Sequence, residues 1–173
     1  LNSATVTGRN APLAQNYTMP SVTLPATYTT LPDINMSSGS QSVPGGVYLI
    51  NNITLSGTAH IIWTGPTVLY IKNSYNVSGS VLIDTYQNLP SNRTLNFLPT
   101  CTTATWSGTN VCVGELYAPD TTFNMSGGVE MFGRITAKVL NNSSSGGMHS
   151  DESLPAPGGT GSYSPVQTSY AEV

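Results

Sequence analysis

The chain is poor in charge: of 173 residues, 8% are charged, with 5 basic residues against 8 acidic and a formal net charge of −3. So few cations leave no basic stripe along which a phosphate backbone could lie, and nucleic acid is disfavoured as a partner. Long apolar runs are missing as well. None approaches the roughly 18 residues of a membrane span, so no span is expected in this chain. The two histidines, His60 and His149, stand far apart, and no Cys-x-x-Cys occurs. Zinc is therefore disfavoured, and no cofactor is expected. A secretory leader is also lacking, and Leu1-Asn2-Ser3 reads as the start of a processed or truncated chain. Serine, threonine, asparagine and glycine carry the surface in place of charge.

Cysteine is scarce too, but its two copies are informative. Cys101 and Cys112 lie close together in a charge-poor, Asn- and Thr-rich stretch. That context favours a Cys101–Cys112 disulfide in an exported protein, extracellular or at the cell surface, over a pair of free cytosolic thiols.

What the chain has is a repeat. Over residues 107–147, Ser107-Gly108, Ser126-Gly127 and Ser145-Gly146 recur at a period of 19, as do Gly114 with Gly133, Leu116 with Ile135, and Ala118 with Ala137. Val129, Met131, Gly133, Ile135, Ala137 and Val139 alternate with Glu130, Phe132, Arg134, Thr136 and Lys138. Period-2 alternation marks a strand with one buried face. A strand returning at a fixed short interval marks a coil of rungs, each burying its inner side against the next. Aligning the chain to this unit adds Ser78-Gly79, Ser56-Gly57 and a degenerate Ser38-Gly39. The expected fold is all-β: a single-stranded β-solenoid of about six coils, with 18–22 residues per coil. Glycine at each corner supplies positive φ, and serine bonds locally beside it.

Along the chain, residues 1–45 are an extended lead-in rich in proline and threonine, because proline at this density blocks central strands. Residues 46–154 form the solenoid, interrupted by a long excursion at 85–106 that the disulfide would staple to the body, worth about 3 kcal/mol. Ala59, Val81, Val129 and Met148 are expected to share one inward position, and His149 to share the outward position of Glu130. Residues 155–159 read as a linker and 163–173 as a last strand capping an edge or end of the coil.

Several phrases recur in an order that carries a resemblance. They are Pro44-Gly45-Gly46-Val47-Tyr48, Asn52-Ile53-Thr54-Leu55-Ser56-Gly57, Gly65-Pro66-Thr67-Val68-Leu69-Tyr70-Ile71, Gly114-Glu115-Leu116-Tyr117-Ala118-Pro119, Phe132-Gly133-Arg134-Ile135 and His149-Ser150-Asp151-Glu152-Ser153-Leu154. Together they resemble the bacterial β-solenoid domain at the C-terminal end of PilX-type, minor pilin-like proteins associated with type IV pili. Ser169-Tyr170-Ala171-Glu172 is similar to that family's C-terminal segment. The resemblance covers roughly residues 44–173 and implies no catalytic activity. Members carry an N-terminal hydrophobic pilin-like helix, which this sequence does not show.

Other motifs weigh less. Asn-x-Ser/Thr occurs at Asn16, Asn35, Asn52, Asn76, Asn92, Asn124, Asn141 and Asn142. Most of these sit at rung corners, where an asparagine serves the turn; Asn92, on the excursion, is the best glycan acceptor among them. The carboxylates Asp33, Asp84, Glu115, Asp120, Glu130, Asp151, Glu152 and Glu172 raise the alternative of a polysaccharide-binding or -cleaving β-helix. Glu115 falls beside Arg134 in the next rung, however, which reads as a surface pair. His149-Ser150-Asp151 lacks the separated segments and nucleophile elbow of a hydrolase. Ice-binding β-solenoid adhesins are the second alternative. The outward pairs Glu115 with Arg134, Tyr117 with Thr136 and Pro119 with Lys138 argue against an ice face on that strand. The expectation is a non-enzymatic structural or adhesive module of a type IV pilus or surface filament. Its partners are other copies of itself, pilus or surface proteins, and glycans as a further class. Assembly would proceed by stacking of end rungs or by strand donation from residues 1–45 or 160–173.

Overall fold

The computed structural model describes residues 19–151 and 154. The expected linker at 155–159 and the strand at 163–173 lie outside them. The described chain winds as a β-solenoid of six coils in which all pairing is parallel. Its strands are β1 (Thr29–Thr30), β2 (Ile34–Met36), β3 (Ser40–Val43), β4 (Gly46–Leu55), β5 (His60–Trp63), β6 (Thr67–Val77), β7 (Leu82–Asp84), β8 (Arg93–Phe97), β9 (Thr103–Trp106), β10 (Val111–Gly127), β11 (Glu130–Ser144) and β12 (Met148–Ser150). Each coil has three faces. Face one stacks β1, the first halves of β4 and β6, β8 and the central parts of β10 and β11. Face two stacks β2, the second halves of β4 and β6, β9 and the ends of β10 and β11. Face three stacks β3, β5 and β7, then continues through the starts of β10 and β11 to β12.

Alternation within each strand builds the core. Tyr48, Leu69, Leu95, Leu116 and Ile135 form one inward column in register, and Ile34, Ile53, Tyr75, Ala104 and Phe123 form another. At the centre, the Tyr75 ring lies 5.6 Å from those of Phe97 and Trp106, and Phe97 lies edge-on to Phe123 at 5.7 Å. Aromatic contacts of this kind add to the apolar burial.

The corner prediction holds through five coils. Gly39, Gly57, Gly79, Gly108 and Gly127 all have φ between +58° and +91°; the last four stack on one another, and Gly57 lies over Ser37 rather than Gly39. A Cβ at Gly108 would sit 2.1 Å from the Gly79 carbonyl oxygen, so both conformation and space require glycine there. Ser145-Gly146 is corrected. Ser143 and Ser144 pair with Ser126 and Gly127, and Gly146 is not among the left-handed residues. The cause is a corner where β10 carries Pro119, Asp120 and Thr121 but β11 carries only Lys138; the register falls from 19 (Ala118 with Ala137) to 17 (Thr122 with Val139). Met148 therefore faces Met131 rather than Val129, and His149 faces Phe132 rather than Glu130.

Two boundaries also shift. The first coil starts at Thr29, not 46, because Pro32 and Pro44 fall between strands rather than within them. Among the described residues, 19–28 run as a lead-in along the outside of face one, where Val22 packs with Leu98 and Tyr117. With residues 19–43 engaged on their own body, that part of the arm is not free to donate a strand. The excursion is two insertions rather than one. Residues 85–92, containing two 3-10 turns, and residues 98–102 flank β8, whose Arg93, Leu95 and Phe97 alternate inward as any other rung.

The expected disulfide is corrected too. Cys101 and Cys112 are free and both fully buried. Cys112 stacks beneath Met131 on face three, whereas the Cys101 carbonyl accepts from Thr121 Oγ1 (2.6 Å) at the corner leading into face two. Residues stack when about 19 positions apart; the shorter separation of the cysteines places them on different sides of the coil.

Candidate functional groove

The insertion at 85–92 overhangs a concavity on the side of the coil. Thr85 donates its hydroxyl to the Val113 carbonyl (2.9 Å), pinning the insertion to the coil that follows. Gln87 (φ +55°) and Asn88 (φ +53°) then take left-handed conformations that bend the chain outward. Such conformations in non-glycine residues cost energy and need a surrounding structure to hold them. Asn92 closes the turn by donating its side-chain amide to the Tyr86 carbonyl (3.0 Å). That internal bond gives the asparagine a turn-forming role. Pro90 meanwhile reaches the backbone of Gly133 two coils on, where an added Cβ would come within 3.3 Å of the proline.

Between this overhang and face three lies a groove of about 600 Å³, lined by Asn88, Pro90, Val111, Val113, Phe132, Gly133, His149, Ser150 and Asp151. Its floor is the outward column Val113, Phe132 and His149, and the last two rings stack in parallel with centroids 4.4 Å apart. The dimensions suit a small ligand or a short stretch of polymer. An apolar floor edged by an amide, an imidazole, a hydroxyl and a carboxylate offers shape and hydrogen bonds rather than net charge. His149-Ser150-Asp151 thus does line a site, though as the rim of a groove and not as a triad. What the sequence missed was the 17-residue last turn that places His149 over Phe132.

Face two presents a different surface. Register sets three outward columns: Asn52, Ser74, Thr103 and Thr122; then Asn35, Thr54, Asn76, Thr105, Asn124 and Asn141; then the serines, including Ser126 and Ser143. Ser74 donates to Asn52 Oδ1 and Asn141 to Asn124 Oδ1, each at 2.9 Å. The array is nearly uncharged and repeats about every 4.8 Å along the coil axis and about 6.8 Å along the strand.

Three carboxylates elsewhere are engaged, whereas Asp120 buries its Oδ2 without a hydrogen-bond partner among the described residues. Glu115 receives the Arg134 guanidinium from the rung above, as the repeat predicted. Asp84 meets His60 at 2.8 Å, and Asp33 accepts from Asn52 at 2.7 Å. Among the described residues, no group of three or more His, Cys, Asp or Glu side chains converges as a metal site would require. No helix of the described residues is long and apolar enough to cross a membrane.

Comparison with protein families matches residues 28–156 to the family described as Domain of unknown function (DUF7305). The chain belongs to that family. The matched span begins one residue before β1 and ends two residues beyond Leu154, so the DUF7305 domain and the coil body coincide, and the insertion at 85–92 lies inside it. No curated protein and no solved structure matches the chain.

Proposed function

We propose that this DUF7305 domain is a non-enzymatic, extracytoplasmic structural or adhesive module of a type IV pilus or related surface filament. The observation that carries the reading is a groove built by an insertion onto an otherwise regular, rigid coil. A stiff parallel stack transmits position well, and an insertion held in a strained conformation is where a scaffold of this kind places recognition. The ordered resemblance to the solenoid end of PilX-type proteins supports the pilus assignment, and the small, uncharged surface side chains suit an exposed, exported protein. Pilus proteins or glycans are the partners this reading expects at the groove. The test is cosedimentation of the purified chain with isolated type IV pilus fibres. Binding that drops at least tenfold in Phe132→Ala and His149→Ala variants with unchanged β-sheet circular dichroism supports the reading. Recovery of all the protein in the supernatant at every fibre concentration removes it.

The array on face two favours a second reading. Ice binding asks for a flat, rigid, neutral surface with hydroxyl and methyl groups at regular spacing, and face two has that form where face one does not. Thermal hysteresis decides it. A measurable freezing gap that disappears in Asn124→Lys, which plants a long cation in the middle of the array, supports ice binding; normal ice growth in the presence of the unaltered protein ends it.

A further inference from the structure

The interior of the solenoid contains a cation. Arg93 opens β8 immediately after the insertion, and its alternation with Leu95 and Phe97 turns it inward, leaving it 1% exposed. Its Nη2 donates to Cys112 Sγ at 3.2 Å. Its Nε is buried and makes no hydrogen bond to a described residue, and the two ion pairs among those residues lie elsewhere. Against it lies an internal cavity of about 10 Å³, lined otherwise by Ile53, Leu55, Ile61, Trp63, Tyr75 and other apolar side chains.

A guanidinium keeps its proton at any pH the fold survives. Burying it without a counter-charge is strongly unfavourable, because the charge loses its hydration and gains nothing in return. The ionisable groups that face it do not supply that charge. Burial raises the Tyr75 hydroxyl far above its ordinary value and pushes the Cys112 thiol up to about 11, against a smaller lowering by Arg93 itself, so both are neutral at pH 7. The cavity has the capacity of roughly one water-sized sphere. That volume admits a monatomic ion and excludes sulfate, phosphate and carboxylates.

We infer that the Arg93 guanidinium and the adjoining cavity form an internal site for one halide ion, chloride under ordinary conditions, taken up as the coils close. Its role is to neutralise the buried guanidinium, and it is independent of the groove and of the pilus assignment. Dense apolar packing around the site makes the ion part of the folded state rather than an exchanging surface ligand.

The experiment uses the whole chain, unfolded and refolded in sodium chloride, bromide, gluconate or sulfate at matched ionic strength. A bound halide stabilises only the folded form, so at a concentration a hundred times its dissociation constant the unfolding equilibrium constant falls about a hundredfold. The expected result is a thermal midpoint that rises with chloride or bromide and saturates, over the gluconate baseline. Sulfate raises midpoints non-specifically by exclusion from the surface, and does so equally in wild type and in Arg93→Met. Arg93→Met is expected to lose the halide dependence alone. Should that variant fail to fold, anomalous scattering from crystals of the wild-type protein grown in bromide decides instead, with a peak expected in the cavity beside the Arg93 guanidinium. Midpoints equal in chloride and gluconate, or water in place of bromide at that position, overturn the proposal.

Discussion

The Tyr117 hydroxyl, in the fifth coil, donates to the carbonyl of Pro20 at 2.6 Å across 97 residues of sequence. This contact fixes the lead-in along face one, with Val22 filling the apolar strip beside Tyr117 and Leu98. Removing the hydroxyl by Tyr117→Phe leaves the ring and takes away the bond, at a cost of about 1 kcal/mol. Limited proteolysis is expected to cleave within residues 19–28 faster in the variant, with cleavage of the coil body unchanged. Equal cleavage rates in the two proteins would place the anchoring energy in Val22 instead.

Gly108 tests the corner stack. Alanine there meets both a φ of +91° and the Gly79 carbonyl at 2.1 Å. The backbone term alone costs about 1–3 kcal/mol, and the clash adds to it because neighbouring coils cannot separate without breaking pairing on two faces. Gly108→Ala is expected to lower the thermal midpoint strongly. At Gly39 an added Cβ meets nothing within 4 Å, so Gly39→Ala carries the conformational cost only and should destabilise less. Midpoints that fall equally would show that conformation, not stacking, sets the requirement.

These corners were the most legible part of the sequence. Ser-Gly spacing and period-2 alternation located five of the six turns, since each corner needs the same positive φ and each strand the same buried side. The last turn was misread because one corner contracts from Pro119-Asp120-Thr121 to Lys138, and a two-residue change preserves the alternation of faces while moving every stacking partner. A repeat alignment sees the first and not the second. The excursion is shorter than the sequence suggests for a related reason: turn formers at Asn88, Pro90 and Asn92 mask the inward alternation of Arg93, Leu95 and Phe97 that follows them. An arginine at an inward position reads as a break in a strand until its burial is known. The groove was hardly legible at all, because Pro90 and His149 approach through three-dimensional winding and not through any shared motif.

The thiols make a prediction with a definite sign. Burial pushes both Cys101 and Cys112 up to about 11, against about 8.5 for a thiol in an unfolded chain. Below pH 8.5 both states hold the proton and the folded protein keeps its full stability. Between about 8.5 and 11 the unfolded chain releases protons that the folded chain retains. Stability then falls by at most about 1.4 kcal/mol per pH unit for each thiol, and the loss levels off above pH 11. Denaturant midpoints measured from pH 7.5 to 10.5 should decline in wild type and decline less steeply in Cys101→Ala and Cys112→Ala. In the same samples a thiol reagent should find no reactive cysteine in the folded protein and two after denaturation. A count of zero after denaturation without reductant, rising to two on reduction, would mean that the pair is oxidised after all.

The insertion can be removed using the protein's own parts. Pairing of Ile62 with Asp84 and of Thr67 with Arg93 shows that residues 64–66 and residues 86–92 bridge the same corner in successive coils. Replacing 86–92 by Thr-Gly-Pro, the sequence found at 64–66, therefore joins Thr85 to Arg93 with a bridge that already works one coil earlier. Shortening a loop by a few residues changes closure entropy by well under 1 kcal/mol. What is lost is the contact of Pro90 with Gly133 and the overhang itself. The chimaera is expected to keep its β-sheet spectrum, with a thermal midpoint within a few degrees of wild type, and to lose the fibre binding that the groove provides. Undiminished fibre binding would move recognition to another face, with face two the next to test. Collapse of the fold would make the insertion a brace for the last three coils, holding Val113 through Thr85 and Gly133 through Pro90, and the groove beneath it a by-product of that brace.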